Sequence, residues 1–383
     1  MKAASIPLAL YVHYPWCVRK CPYRDFNSHT LRDGQDAASL EQRYIDAVIQ
    51  DLRSSAPQLA GRTVDTVFFG GGTPSLMSPA SLSRVIDAIA CHTALAADAE
   101  ITLEANPGTF EAARFRGFRA AGANRLSIGI QSFDDAHLKA LGRIHDGMEA
   151  HRAIHIALDH FERINLDLMY ALPQQSLTGA LTDLDTALSF GTEHLSCYHL
   201  TLEPNTPFHR TPPPLPDDDT AADMQETIEA HLSAAGFEHY ETSAFARPGA
   251  RCRHNLNYWG FGDYLGIGAG AHGKLTTPEG IVREMRHKHP MHYLEAARTG
   301  AFVQDTRTVT AAELPFEFMM NALRLTDGVP ATSFETRTGQ PLANIAERLE
   351  LAHARGLLDE NETMLRPTPR GQRFLNDLLG LFL

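Results

Sequence analysis

The chain has 383 residues, of which 43% are hydrophobic and 21% are charged, so it can bury a large core and has the composition of a globular protein and not of a disordered one. Its 34 basic and 46 acidic side chains give a formal net charge of −12, which disfavours nonspecific binding to nucleic acid or to anionic lipid. No apolar stretch reaches about 18 residues, and no signal-peptide cleavage site follows the amino terminus. We therefore expect a cytoplasmic protein without a transmembrane segment.

Six short apolar runs in the first part of the chain predict six strands. They lie at residues 8–13, 66–69, 101–104, 125–130, 164–170 and 195–202. Segments with helical periodicity separate them, at residues 40–52, 78–90, 110–121, 148–161 and 177–190. Ser78 before Pro79 is typical of a helix N-cap followed by proline in the first turn. This alternation predicts an α/β fold, a partial (β/α)6 barrel of the TIM type over residues 1–210.

A middle region over residues 211–300 is predicted to pack on the barrel. Four prolines within residues 212–216, followed by three aspartates, predict a stiff and extended linker. A predicted helix at residues 221–235 follows, then an aromatic stretch at 237–245 and a dense patch at 251–273.

The last region, residues 301–383, is predicted to be a mainly helical domain that resembles a winged helix. Amphipathic segments at residues 349–358 and 373–383 flank a short polar hairpin. The final eight residues, NDLLGLFL, either pack on this domain or touch a membrane surface or a partner.

Two of the five cysteines lie close together after the first predicted strand, in the stretch YVHYPWCVRKCPYRDFN. The sparse, odd cysteine count argues against a disulfide scaffold. Cys17 and Cys21 have C-x3-C spacing, and in a C-x3-C-x2-C loop three thiolates can hold three irons of a 4Fe–4S cluster and leave the fourth iron open. The third position is Arg24, whose guanidinium stays protonated and cannot bind iron.

Glycines and polar residues occur where the predicted strands end. Gly70, Gly71 and Gly72 follow the second strand, and bare backbone of this kind can approach a ligand closely. Polar side chains at or near the ends of the next strands are Glu104, Gln131, Arg143 and Asp167. Because the carboxyl ends of parallel strands meet at one rim, we interpret these residues as a candidate binding site.

Several motifs together resemble the radical S-adenosylmethionine superfamily, in the branch of oxygen-independent coproporphyrinogen III oxidase. They are YVHYPWC-x3-C, GGGTPS, ITLEANPG, RLSIGIQSF, LGRIHD and INLDLMYALP. RCRHNLNYW at residues 251–259 and YLGIGAGAHG at residues 264–273 further resemble the haem chaperone HemW group. The resemblance covers nearly the whole chain. It implies a partial barrel, a 4Fe–4S cluster in the first loop, and S-adenosylmethionine bound at the open iron.

The resemblance also implies roles for single residues. Cys17 and Cys21 match the cluster ligands, and the third ligand position falls on Arg24. His254 is implied as a haem ligand, with Cys252 as an alternative, and the adjacent aromatic residues could stack on a porphyrin. The residues that match S-adenosylmethionine contacts are Tyr11, Gly71, Gly72, Thr73, Glu104, Gln131, Arg143 and Asp167, and Tyr23 is a further candidate cofactor-binding residue.

Three functions stay open at this level. The first is a haem chaperone that binds haem and transfers it to haem proteins such as those of a respiratory chain. The second is an oxidase-type radical enzyme, which is disfavoured because Phe26 stands where those enzymes carry a fourth cysteine and because only a short segment precedes the first strand. The third is a degenerate protein that binds haem without a cluster. Two further explanations of the missing third cluster ligand also stay open. Either His13 or His29 is a substitute ligand, or the third thiolate was lost recently. The recipient of haem, peripheral membrane contact and oligomeric state stay undecided.

Overall fold

The computed structural model describes residues 6–30, 36–109 and 112–383. Its centre is a parallel sheet formed by the six predicted strands. These are β1 (Leu8–Tyr14), β2 (Thr63–Gly71), β3 (Ala94–Ala105), β4 (Arg125–Gln131), β5 (Arg163–Tyr170) and β6 (His194–His199). Each strand pairs in parallel with the next one along the chain. The predicted α/β architecture is therefore confirmed.

Helices connect these strands and cover the outside of the sheet. They are α1 (Ala37–Ser55), α2 (Pro79–His92), α3 (Ala112–Ala120), α4 (Asp135–Ala140), α5 (Gly147–Leu158) and α6 (Leu177–Ser189). The predicted cap of α2 is confirmed, because the Ser78 hydroxyl accepts a hydrogen bond from the Ser81 N–H at 3.2 Å and Pro79 is the first helical residue. The predicted start of the third helix at Phe110 lies outside the described residues. The short helix α4 was not predicted.

The middle region extends the sheet at both edges. Its elements are α7 (Asp218–Ala234), β7 (Glu238–Glu241), β8 (Ala244–Ala246), α8 (Arg253–Trp259), β9 (Asp263–Ile267), β10 (His272–Thr277), β11 (Gly280–Arg286) and α9 (Pro290–Ala296). The next strand, β12 (Val303–Thr308), lies just beyond residue 300. Within the described residues the sheet has twelve strands, in the order β12-β11-β10-β9-β1-β2-β3-β4-β5-β6-β8-β7. Strand β9 pairs in parallel with β1, so the six predicted parallel strands gain a seventh. The predicted domain boundaries stay predictions, although β12 joins this same sheet.

The proline-rich segment at residues 212–216 packs against the barrel and is hydrogen bonded to it. It has no helical or strand structure, as predicted for an extended segment. However, the Pro214 carbonyl accepts a hydrogen bond from the Gln174 N–H at 3.2 Å, and Leu215 packs against the cluster that contains Tyr23 and Leu141. The segment therefore forms part of the rim and is more than a spacer between two regions.

The last region is mainly helical and has a hydrophobic core of its own. Its elements are α10 (Leu314–Ala322), β13 (Val329–Pro330), α11 (Thr332–Thr338), α12 (Ala346–Ala354), β14 (Met364–Leu365), α13 (Pro369–Arg373) and α14 (Leu375–Gly380). The predicted polar hairpin follows α12, where Leu358 and Pro367 form an antiparallel bridge, and its strand β14 pairs with β13.

The carboxyl-terminal residues pack inward. Phe318, Phe334, Leu378 and Phe382 are fully buried in the core of the last region, so the NDLLGLFL ending packs on its own domain. In the part of the chain that the structure describes, no helix has both the length and the apolar character needed to cross a membrane.

The inside of the barrel contains acidic side chains, and α8 fills one end of it. Glu100 and Glu104 lie four residues apart on β3 and so share a face, while the intervening Leu103 is buried in the outer hydrophobic core. The N–H groups of Arg253 and His254, at the start of α8, donate to the Glu100 carboxylate at 3.2 and 3.1 Å. Because Glu100 lies earlier on β3 than Glu104, α8 closes the amino-terminal side of the barrel. The carboxyl-terminal side remains available for ligands.

Candidate functional site

A pocket opens at the carboxyl ends of the parallel strands, beside the cysteine loop. It is open to solvent on one side. Most of the residues predicted for the site line it, namely Cys17, Cys21, Tyr23, Arg24, Gly71, Gly72, Thr73, Glu104, Gln131, Arg143 and Asp167. We call it the rim pocket. Two predicted residues, Tyr11 and His254, are not among the described residues that line it.

The glycine turn after β2 is held against the end of β1. The Gly72 N–H donates to the Tyr14 carbonyl and the Thr73 N–H to the Trp16 carbonyl, both at 2.8 Å. Gly71 has φ of +120°, and a Cβ there would lie 2.7 Å from the His13 ring. Only glycine fits such a position without strain. The turn therefore fixes bare backbone next to the segment that leads into Cys17.

Two carboxylates face the rim pocket. Glu104 accepts a hydrogen bond from the Gly71 N–H at 3.2 Å, and burial, assisted by the nearby charge of Asp167, raises its pKa to about 7. Asp167 accepts hydrogen bonds from Ser127 at 3.1 Å and Asn165 at 2.8 Å. Burial also raises the pKa of Asp167, and the Arg24 guanidinium acts in the opposite direction. Both groups can accept hydrogen bonds from a ligand hydroxyl or ammonium group.

Amide and guanidinium groups form another part of the rim-pocket wall. Arg143 donates to the Asn106 side-chain oxygen at 2.5 Å and to the Gly129 carbonyl at 2.9 Å, and Asn106 donates to the Thr73 hydroxyl at 3.2 Å. Gln131 is 4% exposed with φ of +71°, and its side-chain oxygen has no hydrogen-bond partner among the described residues. A buried acceptor without a protein partner can accept a hydrogen bond from a ligand or from a bound water.

Asn106 was not predicted as a site residue. It stands two residues after Glu104, within the same ITLEANPG motif, which is the signal that could have identified it.

Arg24 occupies the pocket where the third thiolate of the loop pattern would stand. Its guanidinium lies 5.1 Å from the ring centroid of Phe26, 5.4 Å from that of Tyr198 and 5.8 Å from that of Tyr23. Burial lowers its pKa, but the negative or ionisable groups around it, including Asp167, raise the pKa by more. Arg24 is thus a fixed cation inside the rim pocket.

A cluster held by three thiolates does not fit these residues. Cys17 is 6% exposed, and burial raises the pKa of its thiol. No group of three His, Cys, Asp or Glu side chains in the described ranges could hold a metal ion. Cys17 and Cys21 therefore lack a third protein ligand of these types.

The two histidines considered as substitute ligands are engaged elsewhere. Both ring nitrogens of His13 have partners, since Nε2 is 2.9 Å from the Asn27 carbonyl oxygen and Nδ1 is 3.0 Å from the Tyr11 hydroxyl. His29 is hydrogen bonded to the Asn27 side chain at 3.1 Å. Neither histidine lines the rim pocket.

Tyr11 lies in a second pocket that adjoins the first. We call it the tyrosine pocket, because Tyr11, Tyr258 and Tyr264 all line it. The two pockets share four residues in their walls, which are Phe26, Ser28, Gly71 and Glu104. The sequence indicates Tyr258 only as a porphyrin contact, and it marks Tyr264 only as the first residue of the motif YLGIGAGAHG.

His254 lies inside the barrel, next to the tyrosine pocket. It is 2% exposed, its Nδ1 is 2.8 Å from the Thr66 hydroxyl, and burial lowers its pKa to about 3. Its ring stacks on Phe68 at 4.9 Å and contacts Tyr258 edge-on at 5.0 Å. Its Nε2 has no hydrogen-bond partner in the described ranges. Haem ligation by His254 stays a prediction, and it requires that these covering rings move.

Comparisons with known proteins agree with the geometry. The radical SAM superfamily model matches residues 11–183, and the HemN C-terminal domain model matches residues 309–374. Over 379 residues the chain is 48% identical to "Heme chaperone HemW" of Escherichia coli (strain K12), and the match covers 98% of each protein. The chain belongs to the HemW family. A HemW protein of Haemophilus influenzae is 46% identical over 383 residues, again with 98% of each covered.

A solved structure shows the same fold. Coproporphyrinogen III oxidase (HemN) from Escherichia coli aligns with a TM-score of 0.83 at 24% sequence identity, covering 100% of this chain and 92% of that one. The radical SAM family implies binding of S-adenosylmethionine and of a 4Fe–4S cluster. In this HemW family member the hydrogen-bond acceptors and the bare backbone of the rim pocket fit S-adenosylmethionine. The cysteine loop, which has two thiolates, does not fit a 4Fe–4S cluster held by three.

Proposed function

We propose that the protein is a haem chaperone, which binds haem and transfers it to haem-accepting proteins in the cytoplasm. The observation that carries the proposal is the identity of 48% along 98% of the chain to a protein named as a haem chaperone. The HemN likeness, at 24% identity, supports only the fold. Arg24 further disfavours the oxidase alternative, because that chemistry depends on a cluster for which the loop lacks a thiolate.

The rim pocket is proposed to bind S-adenosylmethionine. Glu104 and Asp167 would accept hydrogen bonds from its ammonium and hydroxyl groups, and the backbone of Gly71 and Gly72 allows close approach. Arg24 places a further cation beside Asp167, so we expect binding of this cationic ligand to be weakened. We propose no radical step for this chain, because its cysteine loop supplies two thiolates and a guanidinium.

Haem titration tests the proposed function. Ferric haem is added to the purified protein, and absorbance is followed to saturation. We expect saturable uptake of about one haem per chain, and subsequent transfer to apomyoglobin when the two proteins are mixed and separated by size. Ribonuclease A at equal concentration controls for nonspecific haem adsorption. Uptake no greater than that of the control, or bound haem that never reaches apomyoglobin, would contradict the proposal.

A further inference from the structure

The tyrosine pocket lies beside the rim pocket and shares part of its wall. It is a cavity of about 620 Å³ that is open to solvent. Besides its three tyrosines it is lined by the basic side chains of His13, His29, His272, Lys20 and Lys288 and by the carboxylates of Asp25 and Glu104. The pocket thus combines aromatic rings with cations and metal-binding side-chain types.

A porphyrin that carries iron needs three kinds of contact. Its flat faces pack against aromatic rings, its iron takes a nitrogen or oxygen ligand, and its propionates bind cations. The tyrosine pocket offers all three. The rings of Tyr258 and Tyr264 lie 4.4 Å apart at their centroids, and Lys288 is exposed at the edge. Lys20 also lines the pocket, although it is 3.8 Å from the Asp25 carboxylate.

Tyr264 has the environment expected of an iron ligand. Its hydroxyl accepts a hydrogen bond from Arg283 at 3.1 Å. The Nε–H of Arg283 donates to the Glu317 carboxylate, so the Arg283 guanidinium is held between Glu317 and Tyr264. Burial raises the pKa of Tyr264, and the Arg283 guanidinium offsets only part of this rise, so the resting side chain is the neutral phenol. The phenolate is the form that binds ferric iron, and the metal charge favours it further.

His254 is placed differently from Tyr264. Phe68 and Tyr258 cover its ring, so the closed barrel separates it from the pocket. It supports the ring of Tyr258, which does line the pocket. In this arrangement the HNxxYW stretch contributes an aromatic wall through Tyr258, and His254 acts as a positioning residue.

We propose that the tyrosine pocket is the haem site and that Tyr264 is the axial ligand of ferric haem. An Fe–O bond forms, and the phenol proton passes to solvent. This inference rests on the proposed function and adds the location of the haem to it.

Haem titration of matched variants tests this site. Tyr264→Phe keeps the ring and removes the oxygen ligand, so we expect affinity to fall by about tenfold or more and the absorption spectrum of the bound haem to change. Tyr170→Phe, in which the altered tyrosine lines neither pocket, is the matched control and should bind as the parent does. Circular dichroism of each variant verifies folding.

A second variant keeps the test decisive if Tyr264→Phe does not fold. Lys288→Gln alters an exposed side chain and should weaken haem binding by about threefold or more, because a propionate loses its cation. Parental affinity and spectrum in Tyr264→Phe, or loss of the haem spectrum in His254→Gln alone, would overturn the assignment. A parent protein that takes up no haem would instead overturn the proposed function itself.

Discussion

Arg24 places a positive charge at the position of the cysteine loop where the C-x3-C-x2-C pattern has a thiolate. A thiolate at this position would add a negative charge, whereas the guanidinium adds a positive one next to Asp167. The surrounding rings of Tyr23, Phe26 and Tyr198 hold the side chain within the pocket. The departure from the loop pattern therefore has a defined structural setting, and a single substitution can test its effect.

Arg24→Cys is expected to restore cluster binding. After anaerobic reconstitution, iron and sulfide analysis should give about four irons per chain for the variant and far fewer for the parent, because three thiolates are then available. Arg19→Cys adds a thiol that lines the same pocket at the wrong spacing, and it should behave as the parent does. Equal iron content in parent and Arg24→Cys would show that the guanidinium does not prevent cluster assembly.

Much of the rim pocket could be predicted from the sequence, and the reason is local. Glu104, Gln131 and Asp167 stand at or near the ends of recognisable strands, and parallel strands bring such positions together. Tyr198, which contacts Arg24, and Tyr264, which lines the adjoining tyrosine pocket, were not predicted. Tyr198 contacts Arg24, which is far from it in the chain, and Tyr264 contacts Arg283, which is on another strand. No local sequence pattern indicates such pairs.

At the scale of elements, the glycine turn after β2 joins the cysteine loop to the sheet. Gly71 requires a positive φ and also lacks room for a side chain, because a Cβ would lie 2.8 Å from the Tyr14 carbonyl oxygen. Strand β9 shows the limit of pattern analysis at this scale. The sequence predicts no strand for its residues, which lie in the motif-rich segment 251–273. Only the fold shows that Leu8 pairs with Asp263 in a parallel register.

Gly71→Ala is expected to destabilise the protein by roughly 2 to 4 kcal/mol, because strain in the backbone adds to the clash with His13. Gly61→Ala is the matched control, since Gly61 also has a positive φ but a Cβ at that position would meet nothing within 4 Å. The control should lose only about 1 to 2 kcal/mol. Urea denaturation measures both free energies of unfolding. Equal losses in the two variants would mean that the close packing of the turn contributes nothing.

At the scale of the whole molecule, Asp51 connects the first helix to one edge of the sheet. Strands at this edge form a wall of the tyrosine pocket. Its carboxylate, on α1, accepts hydrogen bonds from Arg286 at 3.2 Å, from the Gly268 N–H at 3.3 Å and from Tyr293 at 2.8 Å. Asp51 and Arg286 are both fully buried. These contacts connect α1 with the turn after β9, the end of β11 and α9.

Asp51→Leu is expected to destabilise the protein by roughly 3 to 5 kcal/mol in urea denaturation, because it leaves the buried guanidinium of Arg286 without its counter-ion on α1. The double variant Asp51→Leu/Arg286→Met removes both charges and should recover part of this loss, whereas Glu284 then loses the ion pair that it makes with Arg286 at 2.7 Å. If the tyrosine pocket depends on this edge of the sheet, haem uptake should fall in the single variant and return in the double one. A double variant as unstable as the single one would show instead that the hydrogen bonds to Gly268 and Tyr293 carry the stabilisation.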